Sequence, residues 1–378
     1  LLAAAFAPSA SGEATVHTIF STECSKYFDW QSLGLVYSAK KVRQPGPITR
    51  LMACDLPGAP GKHVVEDTFV HKNWAKHPET GDAYSPYNKP ASIMEWFRGP
   101  NPPTADYIVI LDADMIMRKP VTAEAVNVQK GRPLSAHYGY LKGVYKESYM
   151  KVKERVPNVE KSQQVGGFSV MHREDLEKLA PRWLYWTEQV RGDPDSWANT
   201  GDIFNQNGKA GPPWIAEMYG YVFASAELGL DFQVSNNFML YPGYHPPQEP
   251  SPYVLHYGIT YSVDDGDEMG EYAFDKHWYM STDMTTCPGK VFQRPPEFSA
   301  VQAGVRAEVR RKEVALTCAW GLYEATKEWT KTQCGEEQPD PPKERYTCKY
   351  EGQVWTCNRN SRKRAAPAVL GGQGELRG

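Results

Sequence analysis

The run Tyr107-Ile108-Val109-Ile110-Leu111, closed by Asp112-Ala113-Asp114, constrains this chain more than any other feature. Its apolar residues follow the breaker stretch Gly99-Pro100-Asn101-Pro102-Pro103 and are rich in β-branched types, so they read as a strand buried on both faces of a sheet. Such a strand needs helical layers above and below it, which makes the chain an α/β protein. The two carboxylates then emerge at the strand end, where open α/β sheets bind their ligands. Residues two apart on a strand share a side and lie about 6.6 Å apart. One hard cation, or phosphates bound to it, can therefore engage both. The competing reading is a turn or a helix cap, which Asp-x-Asp at a strand end also serves.

The flanking sequence keeps an alternating rhythm. Thr15 to Ser21 reads as a first strand, and Asp29 to Lys41 as a helix with Trp30, Leu33, Tyr37 and Lys41 on one face. Ile48 to Ala53 and His63 to Phe69 are further strands, and Asn88-Lys89-Pro90 opens a helix through Phe97, with Pro90 suited to its first turn. Beyond the acidic pair, Pro133 to Tyr140 and Gly167 to Met171 read as strands, and Arg173 to Val190 and Trp214 to Leu228 as helices. Tyr253 to Tyr257 is a short strand carrying His256. Asp264 to Pro296, with its acidic, Gly and Pro residues, reads as one irregular connection, followed by a helix near Val305 to Lys331. This βαβ order predicts a largely parallel sheet with helices on its faces.

With 378 residues, 41% of them hydrophobic, the chain has room for a full α/β core and a smaller appendage. A net charge of −3 gives no reason to expect nucleic acid as a partner, and the one dense basic run, Arg359 to Arg364, lies near the C-terminus. The 11 Trp, 22 Tyr and 30 Pro suggest ordered loops and flat surfaces on which sugars stack, although core packing accounts for most of these aromatics. Seven cysteines, five of them between Cys287 and Cys357, favour disulfides formed in a secretory lumen. Zinc is the weaker reading because no Cys-x-x-Cys pair occurs, and the odd count leaves one thiol over. Leu1 to Ser11 looks like the hydrophobic end of a secretory signal. No stretch reaches 18 apolar residues, so a membrane anchor would lie outside these residues.

With Asp112, Asp114 and His256 in one view, the pattern resembles a GT-A glycosyltransferase. The stretches His17-Thr18-Ile19-Phe20-Ser21, Phe28-Asp29-Trp30-Gln31, Asn88-Lys89-Pro90 and Ile110-Leu111-Asp112-Ala113-Asp114-Met115 look like those of the peptidyl serine α-galactosyltransferases. So do Ala136-His137-Tyr138-Gly139-Tyr140, Glu217-Met218-Tyr219-Gly220-Tyr221 and Tyr241-Pro242-Gly243-Tyr244. The hydroxyproline O-arabinosyltransferases share the general layout, but the Ala-His-Tyr-Gly-Tyr and Glu-Met-Tyr-Gly-Tyr blocks fit the serine enzymes better.

The resemblance implies a GT-A-like, Rossmann-like α/β fold: a mixed, mostly parallel sheet with helices on both faces, plus a small C-terminal Cys-rich segment. Residues 1–14 would be a signal remnant and linker, 15–300 the glycosyltransferase domain, 301–364 a helical and Cys-rich segment, and 365–378 a disordered tail. It implies retaining transfer of galactose from UDP-α-galactose to serine in Ser-Pro-rich, hydroxyproline-rich glycoproteins of the extensin type, in the endoplasmic reticulum or Golgi lumen. Asp112, Asp114 and His256 would hold Mn²⁺ or Mg²⁺. Phe20, Ser21, Lys89, Asp112, Gly166 and Gly167 would face the donor, the glycines standing immediately before a strand. Glu217 and Asp202 are the acidic candidates on the sugar side, because retention requires either a nucleophile or a stabilised same-face route. Proline-rich acceptors dock on aromatic grooves, for which Tyr138, Tyr140, Tyr219, Tyr221, Tyr244 and Tyr257 are candidates.

Each residue also has a plainer reading. His256 on an apolar strand can be a core histidine, Lys89 at a helix start can be solvated, and Glu217 can be a surface or hydrogen-bonded residue. Among enzymes, haloacid dehalogenase phosphatases also place Asp-x-Asp after a buried strand, with a Thr or Val two places beyond the second Asp, where this chain has Ile116. A lectin-like scaffold would be marked by loss of a metal ligand, and none is lost. The sister reading is arabinose transfer to hydroxyproline.

Overall fold

The first strand, β1 (Val16–Glu23), shows why helices must cover two faces. Its residue His17 packs edge-on against Trp96, and Ser21 Oγ lies 2.8 Å from Ser92 Oγ, whereas Thr18 Oγ1 accepts from Gln44 at the far end of the first helix. Successive strand residues point to opposite sides, so α1 (Lys26–Lys41) and α2 (Asn88–Arg98) lie on opposite faces of the sheet. This is a computed structural model that describes residues 14–146, 152–192, 214–247, 251–287, 290–352 and 354–360. The signal-like start, Asp202 and the tail from Ala365 lie outside the described residues.

The remaining sheet strands are β2 (Ile48–Ala53), β3 (Thr68–His71), β4 (Tyr107–Asp112), β6 (Leu134–His137), β7 (Val165–His172) and β8 (Gln233–Ser235). They form one seven-stranded sheet in the order β3-β2-β1-β4-β7-β6-β8. Pairings are parallel except for β4 with β7 and β6 with β7, so the sheet is mixed and mostly parallel. β4 sits at its centre, and Ile108, Val109, Ile110 and Leu111 are all buried, as the unbroken apolar run requires. Two further helices, α3 (Arg173–Gly192) and α4 (Ala216–Glu227), pack on each other, and α3 also packs on α2.

Three expectations are corrected. His63 to Phe69 is not a strand: Lys62–Val64 is a 3-10 turn entered through Gly61 at φ +78°, and β3 starts only at Thr68. Val64 and Val65 still bury their side chains, but from a turn. Gly166 and Gly167 lie inside β7, not ahead of it. The stretch from Asp264 is not wholly irregular, because β11 (Tyr261–Val263) pairs antiparallel with β12 (Tyr272–Phe274) and a 3-10 turn, Lys276–Tyr279, follows. The acidic loop between them is neutralised by Arg345, which lies 2.8 Å from Asp265 and 2.9 Å from Asp267.

The C-terminal part packs onto the same body. Helix α5 (Arg306–Cys334) lies along α1, and the hairpin β13 (Tyr346–Glu351) and β14 (Val354–Arg359) stacks Tyr346 on Trp278. Disulfides join Cys24 to Cys54, Cys287 to Cys334 and Cys348 to Cys357, and the thiol left over is the buried Cys318. Among the described residues no helix is long and apolar enough to cross a membrane.

Candidate active site

Asp112 ends β4, but Asp114 is not on that strand: it sits in the turn joining β4 to β5 (Met115–Met117). The two carboxylates therefore meet through a turn and not through strand alternation, which corrects the sequence-based geometry. The turn also recruits the histidine. β5 pairs antiparallel with β10 (Val254–His256), with Met115 opposite His256, so Asp114, one residue earlier, stands beside the imidazole. β10 pairs on its other side with β9 (Met239–Leu240), and Tyr241, just beyond β9, stacks on His256 with ring centroids 5.0 Å apart.

His256 Nε2 lies 3.2 Å from Asp114 Oδ1. One ligand atom from each of Asp112, Asp114 and His256 lies within 4.8 Å of the others. A Cβ on Gly258 would come within 2.8 Å of His256 Nε2, so the glycine leaves the imidazole room on that side. The imidazole Nδ1 is buried without a hydrogen-bond partner. Two carboxylates and one imidazole are a donor set suited to a divalent cation such as Mn²⁺ or Mg²⁺.

Two lysines already engage the carboxylates. Lys89, in the first turn of α2, places Nζ 2.5 Å from Asp112 Oδ1. Lys276, the first residue of the 3-10 turn after β12, places Nζ 2.6 Å from Asp114 Oδ2. Burial alone would raise the Asp114 carboxyl, yet Lys276 and His256 beside it hold it well below the usual range. Both lysines hold their protons more firmly than usual because these aspartates outweigh burial. Sequence reading placed Lys89 here and missed Lys276. The available signal was the β-type triplet Tyr272-Ala273-Phe274 followed by Asp275, whose side chain caps the turn by accepting from His277 N–H at 2.8 Å.

Glu217 opens α4 and is buried, with Oε1 lacking a partner. Burial raises its carboxyl to about 7, Lys89 offsetting part of the effect and Asp112 adding to it. Ser21 is the β1 residue in register with Asp112, so it flanks the strand end. Phe20 is fully buried in the core and supports the site from beneath without lining it. Gly166 is explained by packing, since a Cβ there would meet Met218 Cε at 2.5 Å.

Beside the triad opens a cavity of about 490 Å³ lined by His137, Tyr138, Tyr140, Asn236, Tyr241 and Tyr244 among others. Tyr138 Oη is buried there without a partner. Of the aromatic candidates, Tyr219, Tyr221 and Tyr257 are completely buried core residues and form no groove, while Tyr138, Tyr140 and Tyr244 are joined at the cavity by Tyr241.

A mixed α/β sheet carrying this acid-and-imidazole cluster where its central strand ends defines a GT-A-like fold. The chain belongs to the hydroxyproline O-arabinosyltransferase family, whose N-terminal domain matches residues 16–234. It is 40% identical over 286 residues to a peptidyl serine alpha-galactosyltransferase of Arabidopsis thaliana, covering 74% of this chain and 34% of that protein. The namesake from Chlamydomonas reinhardtii is 35% identical over 299 residues, covering 76% and 39%. Hydroxyproline O-arabinosyltransferase 1 of Arabidopsis thaliana is a more distant relative, 25% identical over 302 residues and covering 75% of each chain. The family resemblance read from the sequence blocks is thus borne out, and the chain spans little more than a third of the galactosyltransferases' length. Among solved structures, the apo form of the bifunctional glycosyltransferase WbbM aligns with a TM-score of 0.40 at 12% identity, over 66% of this chain and 47% of that one.

Proposed function

We propose that this chain is the catalytic part of a retaining galactosyltransferase that moves galactose from UDP-α-galactose to serine hydroxyls of Ser-Pro-rich and hydroxyproline-rich proteins. The convergence of Asp112, Asp114 and His256 carries the reading, and the names of the two more similar relatives supply the sugar and the acceptor residue. A divalent cation held by these three residues would supply positive charge to the departing diphosphate. Ser21 and Lys89 flank the donor, the lysine adding charge near the phosphates. Glu217 faces the sugar: an enclosed carboxyl near neutrality in its titration can either attack the anomeric carbon or stabilise positive charge on it. In a same-face route the leaving phosphate takes the serine proton, so no separate base is required.

The acceptor peptide lies in the tyrosine-lined cavity, where flat rings suit the extended proline-rich helix. The disulfides fit a secretory lumen, endoplasmic reticulum or Golgi, with any membrane anchor outside these residues. The alternative, arabinose transfer to hydroxyproline, is favoured by the family description and by the more distant relatives, and the two more similar relatives weigh against it. A donor screen decides between them. With Mn²⁺ and a Ser-Pro peptide, UDP-galactose should give a serine-linked product that alkaline β-elimination releases and a chelator prevents. Arabinose appearing on hydroxyproline would move the assignment to the sister activity.

A further inference from the structure

The two lysine pairs at the triad are more than background charge. Each carboxylate that a cation would need is already held by an ammonium group, Asp112 by Lys89 and Asp114 by Lys276, and the lysine side chains are largely enclosed. Both lysines are anchored at the backbone, which leaves their flexible side chains within reach of the site. Lys89 is fixed by the first turn of α2, and Lys276 by a turn whose capping Asp275 is itself bonded by Thr260 Oγ1 at 2.6 Å. We propose that Lys89 and Lys276 act as resident counter-ions which an arriving divalent cation displaces, and that the two freed ammonium groups then grip the diphosphate of the donor.

Charge supports the exchange. Taken by themselves, the two lysine–aspartate pairs cancel in charge. A divalent cation on the same carboxylates would leave an excess of two positive charges in a poorly solvated place, which is unfavourable. A nucleoside-diphosphate sugar brings two negative charges and restores neutrality. Cation and donor should therefore bind cooperatively, each raising the affinity of the other. This rests on the nucleotide-sugar reading of the site and adds to it an order of events and a role for Lys276.

Calorimetric titration of the full chain with Mn²⁺ alone, with UDP alone, and with UDP in saturating Mn²⁺ tests this without any turnover. In the wild type, Mn²⁺ should raise UDP affinity at least tenfold. Lys276→Met should shift the two affinities in opposite directions: Mn²⁺ alone binds several-fold tighter, because its competitor is gone, while UDP in saturating Mn²⁺ binds at least tenfold weaker. Lys276→Gln should do the same if methionine proves poorly folded, and Lys276→Arg should restore UDP affinity to within a few-fold. Affinities that both fall, or that both stay unchanged, in Lys276→Met and Lys276→Gln would make Lys276 a structural residue and overturn the proposal alone. A wild type that binds neither Mn²⁺ nor UDP would overturn the nucleotide-sugar reading beneath it.

Discussion

Two buried ion-pair sites in this molecule use opposite chemistry. Under the N-terminal strands, Arg50 Nη2 lies 2.9 Å from Asp29 Oδ1, and both side chains are almost wholly enclosed, at 0% and 5% exposure. The guanidinium also donates to Thr22 Oγ1 at 2.8 Å and to the carbonyl of Gly61 at 3.2 Å. At the triad, single-point ammonium groups meet carboxylates of which Asp112 is 30% exposed, and partnerless polar atoms surround them on Tyr138, Glu217 and His256. A planar fork with several fixed partners ties chain segments together, whereas a lysine offers one compact charge that can change partners. The comparison separates a structural fastening from a site that still has bonds to make.

The largest expected effect breaks one side of the comparison. Asp114→Asn should lower sugar transfer about a thousandfold, roughly 4 kcal/mol of barrier, while the denaturation midpoint falls less than in Arg50→Ala because the Lys276 left behind is 19% exposed and keeps access to water. Activity near wild type would remove the metal argument. Arg50→Ala should do the reverse, lowering stability by about 3–5 kcal/mol because Asp29 is left enclosed and uncompensated. Urea unfolding measures it, and a loss under 1 kcal/mol would mean that water reaches the pair.

The pH dependence of stability sharpens the contrast with opposite slopes. Burial presses His17 down to about 4, with Asp67 offsetting only part. Its unfolded value is near 6.5, so the unfolded chain binds more protons below that pH, and stability present above 6.5 is lost as pH falls towards 4. The contribution is about 3 kcal/mol. Glu217 runs the other way. Its folded value of about 7 exceeds an unfolded value near 4.5, so the folded state binds more protons between them and stability declines as pH rises through that window, again by about 3 kcal/mol. Unfolding curves between pH 4 and 8 should show the acid-side loss shrinking in His17→Phe and the rise-side loss vanishing in Glu217→Gln. Unchanged slopes would place both groups in contact with water. The smallest effect belongs to the hairpin. Replacing Cys348 and Cys357 by serine opens a loop only nine residues long, and should cost about 2.5 kcal/mol, read as a small drop in Tm with the triad's metal affinity unchanged.

Much of this organisation was legible along the chain. The β4 run, the breaker before it and the proline in the first turn of α2 are local signals, and all three fell where their chemistry requires. Corrections arose where local signals conflicted. The apolar pair Val64-Val65 read as strand, but Gly61 in the left-handed region turns the backbone before it. The acidic loop after β11 read as irregular, because Arg345, which neutralises it, lies 80 residues away. Lys276 was missed for the same reason: its partner Asp114 is 162 residues distant, and the neighbouring Tyr272-Ala273-Phe274-Asp275 marks a strand and a turn without naming that partner.

The sequence by itself determined the buried central strand, the acids at its exit and, through its blocks, the family, since strand periodicity and turn residues act over a few neighbours. Only the tertiary structure decided which of many candidate side chains share the site. The β5–β10 pairing set His256 beside Asp114, the 3-10 turn delivered Lys276, and burial withdrew Phe20, Tyr219, Tyr221 and Tyr257 from it. Charge and enclosure are properties of distances through space, and those distances exist only once strands remote along the chain have paired.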